Sequence, residues 1–114
     1  RNLYGQPMAN CQPVSYWLAE SYAKIEAMRA LVYATTQAWD AGQINPIASA
    51  TCKAWVCDTA FDVTHRLLQL WGGSGIMDST GVNRYFRDAR TNMIAEAASE
   101  LHYDHIARYV LDKG

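Results

Sequence analysis

Two long stretches without glycine or proline dominate this chain, one between Pro13 and Gly42 and the other between Pro46 and Gly72. Glycine and proline both interrupt helices, so their absence permits long ones. Within each stretch, largely apolar residues recur at three- and four-residue steps, which is the period of an amphipathic helix. The first stripe comprises Val14, Trp17, Leu18, Ile25, Met28, Leu31, Val32, Thr35 and Trp39, and the second comprises Ile47, Ala50, Ala54, Cys57, Phe61, Thr64, Leu67, Leu68 and Trp71.

Local signals at the ends of these stretches predict the helix boundaries. The first helix is predicted over about residues 13–41, because a proline suits its first turn and Gly42 is placed to end it. The second helix has a stronger start signal, since Asn45 can cap it and Pro46 takes the first helical position. It should stop at the paired glycines after Trp71. The connection between the two helices is short, which predicts an antiparallel hairpin.

Shorter helices complete the predicted fold. A loop with four glycines is predicted over 72–81, a third helix over about 82–90 and a fourth over about 98–111. No alternating run of β-branched residues indicates a strand. We therefore predict an all-α, up-and-down four-helix bundle that forms one domain over residues 1–114. The expected apolar side of the fourth helix comprises Leu101, Ile106, Ala107 and Val110.

Composition and charge exclude several classes of protein. The 114 residues fit a single domain, and 50% hydrophobic with 18% charged residues excludes intrinsic disorder. Ten basic and 11 acidic residues give a net charge of −1, which argues against a nucleic-acid binder. No apolar run is long enough to span a membrane. The first residue is Arg1 and no signal-peptide pattern follows it, so we expect the chain to be a piece of a longer protein.

The cysteines indicate a reducing compartment. Cys11, Cys52 and Cys57 are an odd number and cannot form a closed disulfide framework. Cys52 and Cys57 also lie on different sides of the predicted helix, so they do not converge on a metal. We therefore predict a cytoplasmic protein in which these cysteines act as small, buried or half-buried hydrophobic residues.

Two polar patterns each allow a plain and a functional interpretation. The glycines of Gly72–Gly75 follow a helix rather than a strand, so they do not form a dinucleotide-binding fingerprint. They indicate either a helix stop with a flexible turn or a close backbone approach to a ligand. His102 and His105 share one helix face, but no third ligand has matching spacing, so no metal site is predicted.

Glu96 is the one acid within an otherwise apolar segment, 93–98. Desolvation favours the neutral form of a carboxyl group in such surroundings, and this is the condition for a general base that works near neutral pH. The plain alternative is an exposed acid at the start of a helix, where the helix dipole favours negative charge. Local sequence alone favours the plain alternative.

Five segments match, in the correct order, the motifs of one known family. Arg1–Pro7 is similar to the motif Arg-x-x-Phe-Gly-x-Pro, and Gln12 matches a glutamine before the first long helix. Gln69–Gly75 is similar to Gln-x-x-Gly-Gly-x-Gly, and Val82–Arg90 to Val-x-Arg-x-x-Arg-Asp-Ala-Lys/Arg. Residues 94–108 carry counterparts of Ile-Tyr-Glu-Gly-Thr, Glu-Ile and Ile-Ala-Arg. Together these segments resemble the C-terminal helical domain of the acyl-CoA dehydrogenases, almost from end to end.

The resemblance implies a flavoprotein of acyl-CoA oxidation with FAD as its cofactor. Glu96 takes the position of the family's base, which removes the α-proton of an acyl-CoA thioester. The resemblance also implies an electron-transfer flavoprotein as the electron acceptor, and the mitochondrial matrix as the location in a eukaryote. Contacts with the FAD of a neighbouring subunit, and hence a dimer or tetramer, are implied for Arg1, Tyr4, Gln12, Gln69, Gly72 and Gly73.

Two features limit what the resemblance implies. The segment Ala95–Ala98 replaces the family's Tyr-Glu-Gly-Thr, which indicates either a wider pocket for a bulky or branched acyl group or weaker flavin binding. These residues also lack the family's N-terminal helical and β-barrel domains, so we expect the isolated domain to be inactive. The alternatives are a non-catalytic helical oligomerisation module derived from the family, and a flavoenzyme of the acyl-CoA oxidase type.

Overall fold

Two long helices joined by a short turn form the frame of the fold. The computed structural model describes residues 1–112 and contains α1, Gln12–Asp40, and α2, Pro46–Trp71. Oδ1 of Asn45 accepts hydrogen bonds from two backbone N–H groups of the first turn of α2, at 3.0 and 3.1 Å. The predicted cap therefore forms, and both predicted helices are confirmed to within one residue at each end.

Ion pairs between α1 and α2 confirm the antiparallel hairpin. Nζ of Lys24 lies 2.5 Å from Asp62, and Nη1 of Arg66 lies 2.9 Å from Glu20, so an earlier residue of α1 contacts a later residue of α2. The guanidinium of Arg66 also lies over the ring of Trp17, 5.7 Å from its centroid. The hydrogen bond from Lys24 lowers the pKa of the Asp62 carboxyl.

The remaining helices pack mainly on α2. They are the single turn α3, Gly73–Ile76, followed by α4, Val82–Asn92, and α5, Ser99–Asp112. Since α2 contacts α1, α3, α4 and α5, it is the central helix of the domain. The all-α fold and the positions of the third and fourth predicted helices, here α4 and α5, are confirmed.

The prediction of a glycine loop over 72–81 was wrong in part. Gly72 ends α2 with φ 60°, but the chain then forms α3 and a 3-10 turn over Asp78–Thr80. Gly75 is buried, and a Cβ atom at this position would lie 2.9 Å from Cβ of Trp71. This glycine therefore permits close packing of α3 on the end of α2 and does not make the segment flexible.

The prediction that the chain contains no strand was also wrong. Asn2–Leu3 (β1) pairs with Gln6–Pro7 (β2) in a two-residue antiparallel hairpin. Tyr4 and Gly5 form its turn with φ values of 51° and 79°, the conformation that suits a two-residue hairpin loop. The hairpin depends on this turn and not on an alternating pattern, so a search for alternation misses it.

The inward face of α5 also differs from the prediction. Leu101 and Val110 are 63% and 61% exposed, and Ala107 is exposed as well, so this part of the predicted apolar side was wrong. Ser99 is only 4% exposed, and Ile106 is half-buried. The face that packs on α2 therefore begins at a serine, whose hydroxyl finds a polar partner on that helix.

The domain is elongated and its core is thin. It measures 56 × 29 × 25 Å with a radius of gyration of 17.4 Å, whereas about 13 Å is typical of a compact chain of this length. Apart from the two valines Val14 and Val63, the buried apolar residues of the described chain are alanines. Large aromatic side chains of α1 remain exposed, among them Tyr16, Tyr22 and Tyr33.

The cysteines and the helix lengths bear on the remaining predictions. Cys11, Cys52 and Cys57 are free and half-buried, which confirms their predicted environment. Within residues 1–112, no helix is both long and apolar enough to cross a membrane. In the same range, no group of three or more His, Cys, Asp or Glu side chains could hold a metal ion.

Candidate functional site

Glu96 lies in the connection between α4 and α5, in an unusual backbone conformation. Its φ is 53° and that of Ala97 is 81°, so two consecutive residues other than glycine occupy the left-handed region. This conformation costs roughly 1–2 kcal/mol per residue for side chains with a Cβ atom. Such strain persists only where surrounding contacts hold it, and it clusters at functional sites. The strained pair therefore marks Glu96 as a candidate functional residue.

A groove beside Glu96 has a volume of about 510 Å³. The end of α1, the start of α2 and the first turns of α5 form its walls. Nε2 of His102 is buried there and has no hydrogen-bond partner within residues 1–112. The groove thus combines one acid, basic groups and apolar surface. Its lining residues are Trp39, Ile44, Pro46, Ser49, Ala50, Lys53, Glu96, His102 and His105.

Sequence reasoning identified only part of this groove. It placed His102 and His105 on one helix face, and both line the groove. It did not connect Trp39, Ile44 or Lys53 with Glu96, because these residues lie more than forty positions earlier in the chain. No sequence motif joins them, and only the packing of α5 on α2 brings them together.

Ala97→Gly is expected to stabilise the domain by about 0.5–1 kcal/mol. Glycine adopts a φ of 81° without steric cost, and this gain exceeds the entropy it adds to the unfolded chain. Urea unfolding measures the change. Ala98→Gly is the matched control, since Ala98 has no positive φ and this variant should lose stability. Equal destabilisation by both changes would contradict the strain at Ala97.

A second candidate site forms where the hairpin meets the end of α2. Nη1 of Arg1 lies 3.1 Å from the position that a Cβ atom on Gly72 would occupy. The carbonyl oxygen of Arg1 accepts a hydrogen bond from the N–H of Met8 at 2.9 Å, so the hairpin places Arg1 against this glycine. A side chain at Gly72 would displace the guanidinium of Arg1. A residue with a Cβ atom would also be strained at the φ of 60° that Gly72 adopts. The absence of Cβ is therefore needed here.

An apolar groove of about 580 Å³ adjoins Arg1. Its single arginine sits at the edge of a largely aliphatic surface, which suits a ligand with an anionic group and a flat apolar part. The lining residues are Arg1, Pro7, Met8, Ala9, Val14, Leu18, Leu67, Leu70, Trp71 and Ser74.

The other predicted FAD contacts do not line this groove. Tyr4 is 98% exposed at the hairpin tip, and Gln12 is exposed at the first position of α1. Gln69 is exposed on the last turn of α2, where its carbonyl oxygen accepts a hydrogen bond from the N–H of Gly72 at 3.0 Å. Gly73 is exposed, with open space around its Cβ position. The structure brings Arg1 and Gly72 into contact, while the other four lie on open surface.

The two candidate sites lie at opposite ends of α2. The 26 residues of this helix span about 39 Å at 1.5 Å per residue. Its first turns line the groove of Glu96, and its last turns line the groove of Arg1. A single chain therefore does not bring Glu96 close to Arg1 and Gly72.

Comparison with known proteins yields matches over nearly the whole chain. Residues 1–111 match the family model described as "Acyl-CoA dehydrogenase, C-terminal domain". The chain is 35% identical over 111 residues to cyclohexane-1-carbonyl-CoA dehydrogenase of Geobacter metallireducens, covering 97% of the chain and 29% of that protein. It is 37% identical over 110 residues to acryloyl-CoA reductase (NADH) of Anaerotignum propionicum, covering 96% and 28%.

Solved structures have the same fold. Butyryl-CoA dehydrogenase from Megasphaera elsdenii matches with a TM-score of 0.93 and 31% identity, over 97% of this chain and 29% of that one. A structure described as an electron transferring flavoprotein of Acidaminococcus fermentans matches with a TM-score of 0.93 and 29% identity, with the same coverage. The chain thus spans less than a third of the length of these relatives.

Proposed function

The chain belongs to the acyl-CoA dehydrogenase family as its C-terminal domain, and from this premise we propose that it acts within an FAD-dependent acyl-CoA dehydrogenase. The reaction is the α,β-dehydrogenation of an acyl-CoA thioester. The observation that carries the proposal is Glu96, the family's base position, held in a left-handed conformation beside a groove. The resemblance implies that the family's N-terminal helical and β-barrel domains, which are not among these residues, complete the active site.

In the proposed mechanism, Glu96 removes the α-proton of the thioester. The carboxylate forms an O–H bond as the C–H bond at the α-carbon breaks. The electron pair of that C–H bond becomes part of the new double bond. FAD, held by the residues proposed below, would supply the acceptor for the β-hydrogen, which leaves as a hydride. The α-proton is weakly acidic, so the base must be aligned beforehand in a site that excludes water. The held backbone at Glu96 supports such alignment. Because Glu96 is exposed in this chain, water would be excluded by the rest of the enzyme.

Two features of the Arg1 groove support FAD binding at this place. The Arg1 guanidinium suits the pyrophosphate as a charge-assisted donor, and Gly72 leaves room for close approach of a ligand to the backbone. Gln69 and Gly73 lie at the C-terminal end of α2 and the start of α3, Tyr4 lies in the turn of the hairpin, and Gln12 begins α1. We place the FAD contacts on these six residues. Ala98, where the family has threonine, offers no hydroxyl to the cofactor.

The separation of the two grooves supports a site shared between subunits. Because Glu96 and Arg1 lie at opposite ends of α2, we propose that Arg1 contacts the FAD of a neighbouring subunit. The elongated shape and the exposed aromatic face of α1 supply surface for a dimer or tetramer, since Tyr16, Tyr22 and Tyr33 are 63%, 67% and 59% exposed. Assembly and cofactor binding are then coupled.

We infer the electron acceptor and the substrate class from the same family membership. An electron-transfer flavoprotein is the proposed electron acceptor, and one matched structure carries that description. Ala95 in place of the family's tyrosine favours a bulky or cyclic acyl group, in line with the cyclohexane-1-carbonyl-CoA dehydrogenase that the chain resembles. Three free thiols fit a reducing compartment such as the cytoplasm.

Flavin content and turnover of the natural gene product test the proposal. We expect a yellow protein that oxidises acyl-CoA with an electron-transfer flavoprotein and produces little peroxide in air. Cyclohexane-1-carbonyl-CoA and butyryl-CoA make a matched substrate pair, and the cyclic thioester should give the higher kcat/KM. Peroxide formation at the full rate would favour the oxidase alternative. A protein that stays colourless with added FAD would favour the non-catalytic oligomerisation module.

A further inference from the structure

Both ends of the connection that carries Glu96 are tied to α2. At the start of this connection, Nζ of Lys53 donates a hydrogen bond to the carbonyl oxygen of Asn92, at 2.5 Å. At its end, the hydroxyl of Ser99 donates a hydrogen bond to Oδ1 of Asp58, at 2.7 Å. Lys53 and Asp58 are about one and a half turns apart on α2, so one rigid helix spaces the two anchors.

Ser99 joins the connection to itself as well as to α2. It is 4% exposed, and its N–H donates a hydrogen bond to the carbonyl oxygen of Met93 at 3.1 Å. This bond closes a loop that contains Glu96 and Ala97. A buried residue held through both its side chain and its backbone N–H has little freedom, so the loop it closes is held in one conformation.

Asp58 directs its carboxylate to α5. Tyr103 of α5 also lies near this carboxylate, and burial together with the neighbouring Asp58 raises the pKa of the Tyr103 hydroxyl. Within residues 1–112, no Lys, Arg or His forms an ion pair with Asp58. Asp62, one turn further along α2, differs from Asp58 because it forms an ion pair with Lys24 of α1.

We propose that Asp58 is a positioning residue for Glu96. It holds Ser99, Ser99 closes the loop, and the closed loop keeps Glu96 and Ala97 in their left-handed conformation. The inference rests on the proposed function, in which Glu96 is the base. A displacement of about 1 Å in an aligned reacting group can reduce the rate roughly 100-fold, so a loose anchor would act on turnover more than on binding.

Kinetics of the complete enzyme with butyryl-CoA test this role. We expect Asp58→Ala to lower kcat by roughly 10- to 100-fold, with KM and flavin content near those of the parent. Asp58→Asn keeps an oxygen that can accept from Ser99, so it should recover most of kcat. Asp62→Ala is the matched control on the same helix and should keep kcat within about twofold.

The outcomes separate this role from a purely structural one. Equal kcat in Asp58→Ala and Asp62→Ala, or no recovery in Asp58→Asn, would overturn the positioning role. If Asp58→Ala does not fold, Ser99→Ala removes the same hydrogen bond with a smaller change and is judged by the same kinetics. The proposed function has its own test, since an enzyme that keeps turnover after Glu96→Gln contradicts the base itself.

Hydrogen exchange gives a readout that does not depend on activity. In the complete enzyme, amides of residues 93–99 should exchange faster in Asp58→Ala than in Asp62→Ala, because the loop opens when Ser99 loses its partner. Equal exchange rates over this segment in the two variants would overturn the inference even if turnover changed.

Discussion

Glu96→Gln, in the enzyme that contains this domain, is expected to lower kcat by roughly 10²- to 10⁴-fold, the range for loss of a general base. The amide has nearly the shape of the carboxylate but cannot accept the α-proton. FAD should remain bound, because Glu96 lies at the opposite end of α2 from Arg1. Steady-state turnover and the flavin absorbance of the purified variant measure the two quantities separately.

The control for this variant is Glu100→Gln, which makes the same chemical change four residues later. Glu100 is exposed in the first turn of α5 and does not line the groove of Glu96. Its variant should keep turnover within about twofold of the parent, as expected of a surface acid. Near-normal turnover in Glu96→Gln would contradict the assignment of Glu96 as base.

Arg1→Ala is expected to weaken FAD binding by roughly 10- to 100-fold. A hydrogen bond to a charged group contributes about 1.5–3 kcal/mol, and among residues 1–112 the guanidinium is the only charged group that lines its groove. Gln69→Ala removes a neutral donor and should weaken FAD binding by a smaller factor. Titration of the apoenzyme with FAD, followed by flavin fluorescence, gives both dissociation constants.

Arg29→Ala is the matched control for Arg1→Ala. Arg29 is an exposed arginine of α1 that pairs with Glu26 at 2.7 Å, away from both grooves. Its loss should leave the FAD dissociation constant unchanged. Unchanged FAD affinity in both Arg1→Ala and Gln69→Ala would contradict the cofactor site at this end of α2.

Much of the fold could be predicted because its signals are local. The bounds of α2 follow from Asn45, Pro46 and the glycine after Trp71, and the predicted cap forms. The features that were not predicted depend on less common backbone conformations. The hairpin rests on two positive φ values at Tyr4 and Gly5, which a search for alternating residues does not detect.

The face of α5 was predicted incorrectly in part, because apolar periodicity was the criterion. Leu101 and Val110 are exposed, while Ser99 and half-buried His102 lie against other helices. The hydrogen bond to Asp58 makes burial of Ser99 favourable. Because Asp58 lies on α2, no pattern within α5 indicates this partner. Periodicity cannot find a polar contact between residues so far apart in sequence.

The candidate sites divide in the same way. Sequence motifs identified Glu96, Arg1 and the glycines near residue 72, but they did not predict how far apart these residues lie in space. Contacts between residues far apart in sequence place Glu96 in a groove with Lys53 and His102. Contacts of the same kind place Arg1 against Gly72. Such contacts depend on how the helices pack, and no local pattern encodes their combination.

Helical periodicity, capping and motifs are properties of neighbouring residues, so the two long helices, their antiparallel hairpin and the family resemblance could be predicted before folding is considered. The left-handed backbone at Glu96 and Ala97, and the separation of the two grooves by the length of α2, could not be predicted in this way. Anchors such as Asp58 and Ser99 hold the strained backbone, and folding brings them together from different helices.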